Sequence, residues 1–227
     1  MAQGDIVLLN GTSSAGKTSI ARALQEIMEA PYFHTGIDHF LSRLPARLFA
    51  VSDGVSPATS DYFLMVYQGA VQRIVGAREE GTAVYGAGVL TAVRIGSEGV
   101  RLLAGMYHAI AALAEAGINV VVDDVIHDRR VLRAAVEALP ASQVLFVGLQ
   151  LPRDVAERRE RERSDRGPGG AAAFYDLIHV HGTYDLLLDT ATNSPMACAE
   201  RIKEALRGGQ PRRAFAELAR TLADDIA

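Results

Sequence analysis

Cysteine is almost missing: Cys198 is the single one in 227 residues. No intrachain disulfide can form and no Cys-based zinc site can be assembled, and a reducing cytoplasm is the compartment such usage fits. Basic charge is not in surplus either, since 23 Lys and Arg stand against 27 Asp and Glu for a formal charge of −4. A generic nucleic-acid binder needs the opposite balance to displace counterions from phosphates, so no nucleic-acid partner is expected. Long apolar runs are lacking as well. The longest candidate, around residues 106–114, is interrupted by His108 and followed by Glu115, far from the roughly 18 apolar residues of a membrane span. The opening Met1-Ala2-Gln3-Gly4-Asp5 has no basic n-region of the kind a signal peptide carries. The reading is a soluble, cytoplasmic chain with no membrane partner. No internal repeat or low-complexity block is present, and 49% hydrophobic with 22% charged residues is ordinary globular usage that allows a sizeable core.

Ile6-Val7-Leu8-Leu9 is a continuous apolar run ending at Asn10-Gly11, the pattern of a strand buried on both faces of a parallel sheet. Residues 19–30 carry Ile20, Leu24, Ile27 and Met28 at helical spacing, and Pro31 ends that helix. Tyr32-Phe33-His34-Thr35 reads as a second strand with Gly36 and Asp38 beyond its carboxyl end, where ligands gather in open α/β sheets. Further buried strands are read at residues 118–122, 144–149 and 186–188, with helices over 100–116, 131–139 and 154–163. Strands alternating with helices predict an α/β fold, a doubly wound parallel sheet flanked by helices. Between them, Pro45, Gly54 and Pro57 mark breaks, while Phe63, Val66, Tyr67, Ala70 and Ile74 predict a helix from about 61 to 80. Residues 84–95 read as a hairpin or loop. The stretch from about 41 to 93 is expected to cap a substrate. One domain is expected over residues 1–207, followed by a linker at Gly208-Gly209-Gln210-Pro211. In the tail, 208–227, Phe215, Leu218, Leu222 and Ile226 share a helical face that packs on the domain, with a homo-oligomer contact as the alternative.

The sharpest motif is Gly11-Thr12-Ser13-Ser14-Ala15-Gly16-Lys17-Thr18, which fulfils GxxxxGK[ST] between a buried strand and a helix. Its glycines let successive N–H groups face an anion, and the helix dipole adds positive potential there. Lys17 would reach the β- and γ-phosphates of a nucleotide and Thr18 would offer its hydroxyl to Mg²⁺. Such a loop marks the fold as that of a P-loop NTPase. Asp123 and Asp124 end the strand Val120-Val121-Val122 as a second metal-holding element, and a turn or cap is the structural alternative for either. Asp38, in Gly36-Ile37-Asp38-His39, could accept the proton of a substrate hydroxyl as it attacks the γ-phosphorus, or could merely N-cap a helix starting near His39. His34 and His39 flank it and are assigned no role. The run from Arg153 to Arg166 alternates Arg with Asp and Glu, which reads mostly as a solvated helix laced with ion pairs such as Glu157 with Arg161. Its end, Arg163-Ser164-Asp165-Arg166-Gly167-Pro168-Gly169-Gly170, is hinge-like, so a lid is expected at about 153–170, with Arg163 and Arg166 as its phosphate-reaching arginines. Asp189-Thr190 follows the last strand, where folds of this kind often wrap the adenine.

Taken in order, these residues resemble the chloramphenicol phosphotransferase-like proteins, relatives of shikimate and nucleoside monophosphate kinases. The resemblance runs over roughly residues 5–206. It is carried by the opening strand and phosphate loop, the Gly36-Ile37-Asp38 corner, Ile95-Gly96 before a helix and Val121-Val122-Asp123-Asp124-Val125. Arg159, Arg163-Ser164-Asp165-Arg166, His179, and Tyr184-Asp185 leading into Asp189-Thr190 complete it. It implies that Asp38 is the catalytic base and that Arg159, Arg163 and Arg166 meet nucleotide phosphates. The implied reaction moves the γ-phosphoryl group of ATP, with Mg²⁺, to a hydroxyl of an antibiotic. The stretch from about 41 to 93 is longer than in the chloramphenicol enzyme and the tail after Leu206 is extra, so the acceptor itself is left as a small-molecule hydroxyl. A metabolite kinase, acting on a sugar acid, nucleoside or shikimate-like alcohol, and a non-catalytic ATP-binding module are the alternatives.

Overall fold

The computed structural model describes residues 3–55, 59–69, 73–78, 81–86, 88–163, 167–209 and 211–224. In chain order the elements are β1 (Ile6–Asn10), α1 (Lys17–Ile27), β2 (Tyr32–Gly36), α2 (Ile37–Ser42), β3 (Phe49–Ser52), β4 (Phe63–Gln68), β5 (Arg73–Arg78), β6 (Gly81–Gly86) and β7 (Val89–Ile95). They continue with α3 (Ser97–Glu115), β8 (Asn119–Asp124), α4 (Arg129–Ala138), β9 (Val144–Gln150), α5 (Arg153–Arg161), α6 (Gly170–Tyr175), β10 (Leu186–Asp189), α7 (Pro195–Arg207) and α8 (Ala214–Asp224). Five strands form one parallel sheet in the order β10-β9-β1-β8-β2. Helices cover both faces, so the chain has the doubly wound α/β fold of the P-loop NTPases.

The buried runs explain the layering. β1 is central and every one of its residues is buried. Its pleat sends Val7 and Leu9 into a cluster with Ile20, Leu24, Leu145 and Ile202, under α1 and α7. Ile6 and Leu8 go to the other face, with Leu103, Ile110, Phe146 and Phe215. A strand with apolar neighbours on both sides needs no polar alternation, hence the unbroken apolar sequence. On that second face α8 lies against α4 and β9, burying Phe215, Leu218 and Leu222. No helix among the described residues is long and apolar enough to cross a membrane.

The segment between the second strand and α3 departs from its sequence reading. The helix expected over about 61–80 is instead strands β4 and β5, and the residues read as a hairpin or loop are β6 and β7. β4 pairs in parallel with β3 and antiparallel with β7, while β5 and β6 form a separate antiparallel pair. Phe63, Val66 and Tyr67 do fall at helical spacing, but a short apolar run cannot be assigned by periodicity alone, and aromatic and β-branched residues favour a strand where partners exist. The partner is β7, farther on in the chain, from Gln68 opposite Val89 to Phe63 opposite Ile95. Phe49 of β3 stacks on Phe63 of β4 with ring centroids 5.3 Å apart, and both join the α3 side of the main core. The Asp61 carbonyl accepts the Glu98 and Gly99 N–H groups, which fixes the start of α3 to the entry of β4.

Asn10, at the end of β1, anchors a buried polar cluster. Its Nδ2 donates to the Ile178 carbonyl (3.1 Å) and to Tyr184 Oη (2.9 Å), and its Oδ1 accepts the Ile126 N–H (2.9 Å). His179 Nδ1 lies 2.7 Å from the same Tyr184 hydroxyl, and His181 packs on Phe146 and Tyr184. Burial, and then the neighbouring His179, push the His181 imidazole down to about 4, against a hydrogen bond with the Thr183 backbone. In the unfolded chain the same group titrates near about 6.5. Above that pH both states hold it neutral, and between about 6.5 and 4 the unfolded state binds the extra proton, so stability falls as pH drops through this window. Thermal melts between pH 7.5 and 4.5 should show a shallower acid-side loss in His181→Gln than in the parent. Identical slopes would remove His181 as a source of acid lability.

Candidate active site

The site is built where β1, β8 and β2 end side by side, a position fixed by their parallel register: Leu9 faces Asp123, and Gly36 faces Asp123 from the other neighbour. The chain leaves β1 through the phosphate loop. Gly11, Thr12, Ser13 and Ala15 are buried in it, and Ser14, Gly16 and Lys17 are half-buried. Ser14 holds φ 61°, a left-handed conformation that turns the loop back on itself, and its buried Oγ has no hydrogen-bond partner among the described residues. Lys17 Nζ donates to the Gly11 and Thr12 carbonyls at 2.8 and 2.9 Å. α1 starts there with Gly16 as cap, no side-chain cap bond and no acidic residue in its first turn. The positive end of the helix and its unanswered N–H groups therefore remain available to an anion, as does the Ser14 hydroxyl. Ser13, Ser14, Gly16, Lys17, Thr18, Ser19, Ile37, Asp38, Asp123, Val125 and Arg163 line one cleft.

The two adjacent carboxylates at the end of β8 go to opposite faces. Asp123 enters the cleft, where its Oδ2 accepts the Thr18 hydroxyl at 2.7 Å and lies 3.3 Å from His34 Nε2. Burial works to raise its pKa, but the contacts with His34 and Thr18 and the charges of His34 and Lys17 outweigh burial and hold the carboxyl below its ordinary value. Asp124 turns into the core on the α3 side. There it accepts the Tyr107 hydroxyl at 2.6 Å and the Val125 N–H at 2.7 Å, and burial pushes it up to about 6. Of the pair expected to hold metal, Asp123 is thus the one beside Thr18. Mg²⁺ takes hard oxygen ligands and is ordinarily held by one or two protein oxygens completed by phosphates and water. Thr18, at the start of α1, and Asp123, near the end of β8, fit that demand.

Asp38 sits in the first turn of α2, which begins one residue later than the sheet ends and has Gly36, not Asp38, in the cap position, without a side-chain cap bond. Its carboxylate shares the cleft with Lys17. Arg163, just past α5, is exposed and also lines the cleft. Arg166 lies outside the described residues. Arg159 and Thr190 meet each other instead of the cleft: the Arg159 guanidinium donates to the Thr190 carbonyl at 2.7 Å, and Thr190 is buried with its N–H on the Gln150 carbonyl.

Two residues have roles that the sequence reading did not give. Glu160 belongs to the charged run taken as solvated, yet it is only 6% exposed. Its carboxylate accepts the Gly169 and Ala171 N–H groups, each at 2.8 Å, and the Ala171 carbonyl in turn accepts the Thr12 hydroxyl at 2.8 Å. Leu90 of β7 donates to the Pro168 carbonyl at 2.9 Å. Gly169, at φ 107°, comes so near Leu90 that a Cβ would stand 2.2 Å from the Leu90 oxygen. The far end of the expected lid is therefore tied to the phosphate loop and to the cap sheet together. Gly36 is the second. A buried carboxyl among backbone N–H groups leaves no period in a sequence, but a glycine between a strand and an acidic helix start is a visible sign of close approach.

Comparison with known proteins agrees with this arrangement. The family model for chloramphenicol phosphotransferase-like proteins matches residues 4–207. A Mycobacterium tuberculosis protein named as an O-phosphotransferase is 32% identical over 205 residues, 90% of this chain and 83% of the relative. Among solved structures, a sugar kinase from Janibacter sp. superposes with TM-score 0.59 at 18% identity, covering 90% of this chain and 95% of that one. The APS kinase of Mycobacterium tuberculosis, in complex with AMPPNP and APS, gives 0.52 at 16% identity over 91% and 99%. At these identities the structural likeness speaks for the fold.

Gly36 generates a direct test. A Cβ there would lie 1.9 Å from Asp123 Oδ1 and 2.2 Å from the Asp123 carbonyl oxygen. Gly36→Ala must push the carboxylate out of place, so it should lower stability by about 1–3 kcal/mol, the usual cost of overpacking. Chemical denaturation checks this. A variant as stable as the parent would mean that the strand ends spread without cost.

Proposed function

This chain belongs to the chloramphenicol phosphotransferase-like family and is a small-molecule kinase, and on that footing we propose that it moves the γ-phosphoryl group of ATP, with Mg²⁺, to a hydroxyl of a small organic acceptor. The observation that carries the reading is the convergence of Lys17, Thr18, Asp123 and Asp38 on one cleft at the end of a parallel sheet. The phosphate-loop amides and the α1 terminus take the β-phosphate region, and Lys17 exchanges the Gly11 and Thr12 carbonyls for phosphate oxygens. Thr18 and Asp123 hold the metal. When bound, Mg²⁺ neutralises charge developing on the transferring group. Asp38 orients the acceptor hydroxyl and takes its proton as the new O–P bond forms and the bond to the bridging oxygen of ADP breaks, leaving ADP with the electron pair. Arg163, which lines the same cleft, adds positive charge to the transferring group, and Arg166 is read as its companion in the lid. Arg159 with Thr190 is read as the floor of the adenine subsite.

The acceptor is read as a hydroxylated antibiotic of the chloramphenicol kind, inactivated by phosphorylation, because the family's namesake has that substrate. A metabolite alcohol is the second reading, favoured by the cap of strands β3 to β7, which is read as longer than the namesake's and whose β6 contacts α2, the helix that carries Asp38. Cytoplasmic location belongs to the same proposal and rests on the single, buried Cys198. ATP consumption across a panel of hydroxylated antibiotics and metabolites, with mass spectrometry of the products, tests the reading. A phosphorylated ester supports transfer, and ATP binding without any product would return the chain to a nucleotide-binding module.

Two substitutions probe the machinery. Lys17→Ala should abolish transfer, since it removes the charge bridging the two phosphates in the transition state. Near-parental turnover would sink the assignment of the loop. Asp38→Asn should keep ATP affinity and melting temperature while turnover falls by roughly 10²- to 10⁴-fold, the worth of a positioned general base. If turnover is unchanged on a preparation whose ATP affinity is intact, Asp38 leaves the mechanism.

A further inference from the structure

His34 stands on β2 on the same face as Tyr32, whose ring is buried under α1, and opposite the exposed Phe33. That face places it over the start of α1, diagonally across the strand pair from Asp123. Its side chain is 12% exposed and that of Asp123 11%, and Nε2 lies 3.3 Å from Asp123 Oδ2. Nε2 is enclosed and makes no aligned hydrogen bond, and the Asp123 carboxylate is the acidic group beside it. The imidazole is itself braced: the His39 ring meets it edge to face, with centroids 5.4 Å apart. Asp123 Oδ1 lies in the space that a Cβ at position 36 would fill. Asp123 thus meets the Thr18 hydroxyl and the His34 ring through one oxygen while its other oxygen lies against Gly36.

We propose that His34 is a positioning residue for the metal site, its braced imidazole fixing the Asp123 carboxylate in the orientation in which Asp123 and Thr18 together take Mg²⁺. The inference rests on the metal role given to that pair above. A carboxylate that must meet a metal loses affinity when it is free to rotate, and partners that orient ligands commonly account for 10- to 100-fold in metal affinity. Thr18 alone cannot fix the carboxylate plane, because one hydrogen bond to one oxygen leaves rotation about Cβ–Cγ open. His34 supplies the second contact to the same oxygen, from β2. The role is distinct from catalysis: His34 does not line the cleft.

The test compares His34→Leu, which keeps bulk without a donor, with His34→Gln, whose amide N–H reaches a similar position. Mn²⁺ replaces Mg²⁺ as the probe, its binding in the presence of ADP is read by the loss of the free-ion electron paramagnetic resonance signal, and metal-free ADP affinity and melting temperature are measured on the same samples. His34→Leu should weaken Mn²⁺ binding by about 10- to 100-fold while metal-free ADP affinity stays within about twofold, and His34→Gln should restore most of the loss. Parental Mn²⁺ affinity in His34→Leu overturns the proposal. So does an equal fall of Mn²⁺ and metal-free ADP affinity in both variants, which would mark His34 as packing only. A parent protein that binds ADP but no Mn²⁺ overturns the metal role of Thr18 and Asp123 instead, and the positioning role with it.

Discussion

The hydrogen bond from Thr18 to Asp123 joins the first turn of α1 to the end of β8, and the rest of the site is arranged around it. A carboxylate this deeply set must be compensated, because a buried charge without partners costs several kcal/mol. Three chain segments that are far apart in sequence meet there: the start of α1 and β2 bring the compensating groups, Thr18, Lys17 and His34, to the end of β8. Each segment is constrained by it in residue type. Position 18 needs a hydroxyl, position 36 tolerates no side chain, and the strands must pair in parallel so that their carboxyl ends coincide. Lys17, held meanwhile by two loop carbonyls, keeps its charge within the same few residues without neutralising the carboxylate outright.

The pleat of β8 turns a repeated residue into two different devices. Asp123 and Asp124 are neighbours with nearly equal sequence credentials, yet strand geometry points them to opposite faces. One meets Thr18 and stays acidic, held below the usual carboxylate range. The other is sealed against Tyr107 and pushed up to about 6, where it serves the core between α3 and the sheet. The face of the sheet, not the residue type, decides which carboxylate a cation can reach.

The main sheet was legible because fully buried parallel strands write themselves as continuous apolar runs, as at residues 6–9, 120–122 and 144–147, and because the phosphate loop must spell its glycines and lysine in a fixed order. Asp38 and the phosphate loop were named together from sequence, and they line one cleft although β8 stands between β1 and β2. The cap was not legible. β4 and β7 are held by pairing between residues well apart in the chain, and the half-exposed pattern of such strands leaves several apolar residues at accidental helical spacing, so Phe63 to Ile74 imitated a helix. Glu160 was hidden for a different reason. A carboxylate that accepts two backbone N–H groups looks, in sequence, like any other member of an Arg- and Glu-rich helix. Arg159 was named only through the resemblance, as a residue meeting nucleotide phosphates; the partner it has is the Thr190 carbonyl, which no side-chain pattern records.

The anchoring of Pro168 and Gly169 to Leu90 and Glu160 sets a tether length for the arginine that faces the cleft. Arg163 stands directly after the α5 cap at Glu162, and the chain is pinned again at Pro168. An extended chain gains at most about 3.3–3.6 Å per residue, so the short run of sequence from Arg163 to Pro168 bounds how far apart these two points can stand. The guanidinium at position 163 is accordingly a cation on a short leash beside the cleft it lines, and lengthening the leash by inserted residues would lower its effective concentration there without altering a contact described for the site.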